Sequence, residues 1–138
     1  GGGIVMSFME QSERANLVDA IILDSPVLDF GAILDYQGER RSLPAPLTWF
    51  SKEVAGWRLD IDWEGLNYLD LGASPPARVL VFHSRADETI PYETSAAFTG
   101  ASGGMARLVT FETAAHASGW NADPARYEAQ VRDFLPGR

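Results

Sequence analysis

Two short stretches of the chain carry side chains suited to acid–base chemistry. "HSRADETIP" (residues 83–91) supplies a carboxylate, Asp87, and "AAHASGWN" (residues 114–121) supplies an imidazole, His116. A carboxylate that accepts the Nδ1 proton of a histidine fixes the ring's tautomer and stabilises the imidazolium, leaving Nε2 to exchange a proton with a reacting group. Such a pair is the supporting half of a nucleophile, base and acid set. Each stretch taken singly has a plainer reading. Asp87 ahead of Thr-Ile-Pro suits a turn, and His116 among small residues suits a solvated loop or a helix cap. Position favours the chemical reading, because each stretch follows an apolar run, in the order acid then histidine.

Those runs are the elements that must hold the pair in place. "AIILD" (Ala20 to Asp24), "RVLVFHS" (Arg78 to Ser84) and "RLVTFET" (Arg107 to Thr113) are continuously apolar rather than alternating, as strands of a parallel sheet covered on both faces require. In such sheets ligands and reactive groups gather at the carboxyl ends of the strands. Between the last two runs "PYETSAAFTGASGG" predicts a helix closed by glycines. In "DPARYEAQVRDFLPGR" Asp123 is placed as a helix cap, Pro124 at the first helical position, and Tyr127, Val131, Phe134 and Leu135 on one face. After Gly1–Gly3, the spacing of Ile4, Val5, Phe8 and Met9 predicts an amphipathic helix with these residues as its apolar stripe. From about Phe30 to Ser74 the alternation breaks. This stretch contains Trp49, Trp57 and Trp63, predicts two or three short helices, and reads partly as cover for the sheet and partly as a cap lining a pocket.

Composition narrows the function. With 138 residues, 46% of them hydrophobic and 22% charged, the chain fits a single globular domain. A net charge of −8 with scattered basic residues argues against nucleic acid or an anionic membrane as partner. No apolar run approaches the roughly 18 residues of a membrane span. The absence of cysteine excludes disulfides, thiolate metal sites and a cysteine nucleophile, and leaves the compartment open. Asp60, Asp62, Glu64 and Gly65 fall on calcium-loop positions 1, 3, 5 and 6, but Leu71 stands where the closing Glu belongs, so an acidic helix start with Leu66 and Leu69 turned inward is the better reading. Ser25 in "LDSP" follows a strand, yet it lacks the glycines of a strained elbow and Pro26 removes the next N–H, which disfavours it as a nucleophile.

The two stretches also carry a family resemblance. "HSRADETIP" resembles the H-G-x-x-D-x-x-V-P segment around the acidic triad member of α/β-hydrolases, with Ser84 for glycine and Ile90 for valine. "AAHASGWN" resembles the G-x-G-H or G-A-G-H loop that presents the histidine, with Ala114 and Ala115 where glycine is common. "GGGIVMSFME" is similar to the residues after the serine in G-x-S-x-G-G-G-I-V, and the fold's chain order is Ser, Asp, His. The similarity is closest to a bacterial group with esterase-like and serine-aminopeptidase-like members.

The resemblance implies an α/β fold: the carboxyl-terminal part of a doubly wound sheet, three parallel strands with flanking helices and a helical cap-like insert, forming one partial domain over residues 1–138. It implies Asp87 and His116 as triad acid and base, a serine two residues before Gly1, an ester or amide substrate, and neither cofactor nor metal. His83 matches the family's strand-end histidine, a packing and hydrogen-bonding residue with little room to approach a substrate beside Pro91. Leu43, Leu47, Phe50 and the tryptophans suggest an apolar acyl or aromatic pocket. Without the serine the chain is expected to be inactive by itself. The alternative is a non-catalytic unit that needs a complementary chain to cover the edge of "AIILD".

Overall fold

The three apolar runs form one sheet, with the most continuously apolar of them as its fully buried central strand. The computed structural model describes residues 1–135, in which β1 (Ala20–Asp24), β2 (Arg78–Ser84) and β3 (Ala106–Phe111) lie parallel in the order β1-β2-β3. The register pairs Ala20 with Arg78 and Val79 with Ala106, which brings the three carboxyl ends to one edge. In β2 every residue from Val79 to Ser84 is buried. β3 starts one residue earlier and stops two residues sooner than the sequence predicts, since Glu112 and Thr113 turn away towards the histidine loop.

Helices cover both faces. Met6 and Met9 of α1 (Gly2–Gln11) and Phe98 of α4 (Tyr92–Ala101) pack with Ile21, Leu23, Val79 and Val81. On the other face Tyr127, Val131 and Phe134 of α6 (Pro124–Phe134) pack with Leu80, Phe82, Val109 and Phe111. Full burial of one such side chain stabilises by about 1.5–3 kcal/mol, so β2, which contributes to both clusters, anchors the fold. Asp123 caps α6 by accepting the Arg126 N–H at 3.0 Å, ahead of Pro124, as its sequence predicts. Leu135 stays exposed, off the packed face. The last three residues of the predicted closing stretch lie outside the described residues.

α1 differs from expectation in the face it buries. Gly3, Met6 and Met9 are buried, whereas Ile4, Val5 and Phe8 are exposed. The cause is close packing at its start: a Cβ on Gly2 would stand 2.7 Å from Pro26 Cβ, so the glycine edge is the one that docks. The 30–74 segment holds α2 (Phe30–Arg40), α3 (Ala45–Leu59) and a 3₁₀ turn at Leu69–Ala73, in line with the predicted two or three short helices. Asp29, just ahead of α2, forms an antiparallel bridge with Asn67, just ahead of the 3₁₀ turn, where the Tyr68 N–H donates to Leu28 O at 2.7 Å. Residues 60–66 are not a helix start. Asp60 ends α3 in the left-handed region (φ 54°), and Asp62 Oδ1 accepts the N–H groups of Glu64 and Gly65, forming a turn.

Candidate active site

Residues from all three strand ends meet at the carboxyl edge of the sheet. Asp87 follows β2 in a tight turn that its own side chain closes: Oδ1 accepts the N–H of Thr89 at 2.9 Å and of Ile90 at 3.0 Å. Oδ2 accepts His116 Nδ1 at 2.9 Å, so that ring nitrogen carries the proton. Burial pushes the Asp87 carboxyl up, but the donors from Ile90, His116 and Thr89 outweigh it and hold the group below its ordinary value. The result is a fully buried carboxylate that stays ionised, the state that stabilises a positive imidazolium.

His83, next to last in β2, lies beneath the same carboxylate, its Nε2 3.4 Å from Asp87 Oδ2 and 3.3 Å from Ile90 O. Both neighbours are acceptors, which places the proton on Nε2 and leaves Nδ1 to accept from Ser95 Oγ of α4 at 2.7 Å. Burial pushes its pKa down despite the nearby Asp87 charge, so His83 is a neutral support. The packing and hydrogen-bonding role expected from the sequence describes this geometry, and the contact with Asp87 adds to it.

His116 is partly exposed, and its Nε2 makes no hydrogen bond to another of the described residues. It lines a pocket of about 400 Å³ with Gly1, Gly2, Val5, Asp24 and Ser25. Ser25 is buried here, with its Oγ accepting the Ala117 N–H at 3.2 Å. Asp24 does not stand out in the sequence. Burial raises its pKa, with Asp87 adding to the rise and the Tyr127 hydroxyl and His116 opposing it. Tyr127, stacked on Phe82 at 3.8 Å between ring centroids, is itself pushed up to about 12 by burial and by Asp24. The signal that could have found Asp24 is a charged residue ending a strand that is otherwise apolar.

The 30–74 segment is fastened to the acid turn by α2. Tyr36 Oη donates to Asp87 O at 2.7 Å, Gln37 Nε2 donates to Glu88 O at 2.7 Å and Thr89 O at 3.0 Å, and Arg40 pairs with Glu88 at 2.9 Å. Leu34, Leu43, Leu47 and Ala55 wall an apolar cleft of about 430 Å³ between α2 and α3. Phe50 lies in a neighbouring groove with Val54 and Leu59. Trp49 and Trp57 are exposed, and Trp63 donates Nε1–H to Lys52 O at 3.1 Å. The apolar residues of the segment therefore flank clefts that share no lining residue with the His116 pocket. Among the described residues no group of three or more His, Cys, Asp or Glu is arranged to hold a metal, and no helix is long and apolar enough to cross a membrane.

No protein-family model matches the chain, and no curated protein matches it in sequence. Solved structures do match. An esterase from Pyrococcus furiosus aligns over 98% of this chain and 49% of its own, with TM-score 0.65 and 18% identity. The acylaminoacyl peptidase of Pyrococcus horikoshii aligns over 97% of this chain and 21% of its own, with TM-score 0.65 and 20% identity. The chain has the α/β-hydrolase fold. A meta-cleavage product hydrolase from Pseudomonas fluorescens IP01 shares that α/β-hydrolase architecture over 98% of this chain and 61% of its own, with TM-score 0.59 and 17% identity. The chain spans about half the length of the Pyrococcus furiosus esterase.

Proposed function

We propose that this chain supplies the base and acid of a serine hydrolase acting on carboxylic esters or amides, with the nucleophilic serine two residues before Gly1. The observation that carries this reading is the buried, ionised Asp87 holding Nδ1 of His116 at 2.9 Å while His116 and the glycines that open α1 line one pocket. In this reaction the serine Oγ attacks the carbonyl carbon as Nε2 of His116 takes its proton, and Asp87 stabilises the imidazolium. His116 returns the proton to the leaving alcohol or amine, and an acyl-enzyme remains. Water, deprotonated by the same nitrogen, then hydrolyses it. The 30–74 segment is a cap on one partial domain in this reading, and no cofactor or metal takes part.

The test is fluorophosphonate labelling of the protein extended by its upstream coding sequence, with the modified residue mapped. Labelling of a serine in a G-x-S-x sequence before Gly1 is expected, together with about a 10⁴-fold fall in ester turnover for Asp87→Asn. An unlabelled protein, or one indifferent to His116→Ala, overturns the reading. The 138-residue chain by itself is expected to give no burst of p-nitrophenol from p-nitrophenyl esters. The second reading, a non-catalytic unit completed by another chain, draws on β1 as an edge strand of the sheet. Upstream codons without G-x-S-x favour it.

A further inference from the structure

Ser25 stands at the end of β1 in a backbone conformation that its side chain disfavours. Its φ is 45°, in the left-handed region, where a non-glycine residue is held only when its surroundings over-determine it. The surroundings do so here. The Ser25 N–H donates to Phe82 O at 2.9 Å, continuing the β1–β2 ladder, and the next residue, Pro26, is fully buried. Glycine would adopt this φ at lower cost, so the hydroxyl must be weighed by what it touches. It accepts the N–H of Ala117 across 92 residues of chain, at 3.2 Å, and Ala117 is also left-handed, with φ 49°. Two strained residues on two different loops are thus joined through one buried oxygen, and the second of them directly follows His116.

We propose that Ser25 is a positioning residue for the Asp87–His116 pair: its hydroxyl pins the Ala117 peptide, which fixes the height of the imidazole over the Asp87 carboxylate. Holding the ring there keeps its Nδ1–H on Asp87 Oδ2 at 2.9 Å, a donor that favours the ionised carboxylate. Ser25 is therefore the point where the ends of β1, β2 and β3 are fastened together. It takes no part in bond making. This assignment rests on the reading of Asp87 and His116 as acid and base, yet it is measured on the pair itself rather than on turnover.

The experiment compares Ser25→Gly and Ser25→Ala by NMR in the 138-residue chain. Glycine relieves the backbone and deletes the hydroxyl; alanine deletes the hydroxyl and keeps the strain. If the hydroxyl positions the pair, both variants titrate the Asp87 carboxyl at higher pH and exchange the His116 Nδ1–H at least about tenfold faster with water, while Ser25→Gly unfolds at a temperature no lower than Ser25→Ala. Variants that unfold earlier but leave the Asp87 titration and the Nδ1–H signal unchanged overturn the proposal and reduce Ser25 to a structural residue. If fluorophosphonate labels no upstream serine while both variants still shift Asp87, the hydrolase reading fails and the positioning role stands.

Discussion

β2 and α3 are both rich in apolar residues, and they use them in opposite ways. Val79, Leu80, Val81 and Phe82 are wholly buried, each wedged between neighbouring strands and a helix. α3 buries no residue, and Trp57, at its outer side, is 87% exposed. The difference teaches that apolar content alone does not locate the core of this molecule. Strand pairing on both sides of β2 forces burial, while α3 packs mainly on α2 and leaves its remaining surface open. The acid turn lies between the two regimes, rooted in the strand below and held by α2 from the side.

Substitutions can break this contrast. Phe82→Ala removes a ring stacked on Tyr127 in the buried cluster and is expected to cost about 3–5 kcal/mol, read as a fall in the urea midpoint. Acid should act next, through the groups under the turn. His83 has a lowered pKa, so the unfolded chain takes up its proton first, and stability falls as pH drops below about 6.5. Asp87, also lowered, contributes stability above the ordinary carboxylate value of about 3.9, which is lost as pH falls through its folded value beneath that. Urea midpoints measured from pH 8 to pH 3 should show both windows, and His83→Gln should flatten only the upper one. Tyr36→Phe deletes the hydroxyl on Asp87 O and is expected to cost about 0.5–1.5 kcal/mol in the same assay. Trp57→Ala should change the midpoint by no more than about 0.5 kcal/mol, and a loss comparable to Phe82→Ala would erase the contrast between the two regions.

How far the sequence can be read obeys the same division. β1 and β2 coincide with their apolar runs, because the run of consecutive apolar residues that the central strand buries, and that its neighbour pairs with, has few polar positions to blur its limits. Asp87 and His116 are legible as residues after strands, since parallel pairing brings successive strand ends to one edge. The buried face of α1 is not legible. Its periodicity points to Ile4, Val5 and Phe8, and only the approach of Gly2 to Pro26, a contact between distant residues, turns the other side inward. The neighbours of Ser25 argue against a nucleophile, but its left-handed backbone and its bond to Ala117 depend on a loop far along the chain. The grip of Tyr36 and Gln37 on the acid turn is hidden for the same reason: their hydrogen bonds reach across 51 and 52 residues.

That grip has a consequence for how such a chain can diverge. The hydrogen bonds from Tyr36 and Gln37 end on the main-chain carbonyls of Asp87, Glu88 and Thr89, which every amino acid possesses. The side chains at positions 88 and 89 can therefore change without releasing the attachment, and only the Arg40 pair is sensitive to them. On the other side, α2 needs one hydroxyl and one amide at adjacent positions to stay moored, while the rest of the helical segment is free to alter its clefts. The joint lets the helical segment drift in sequence while the turn beside the histidine keeps its shape.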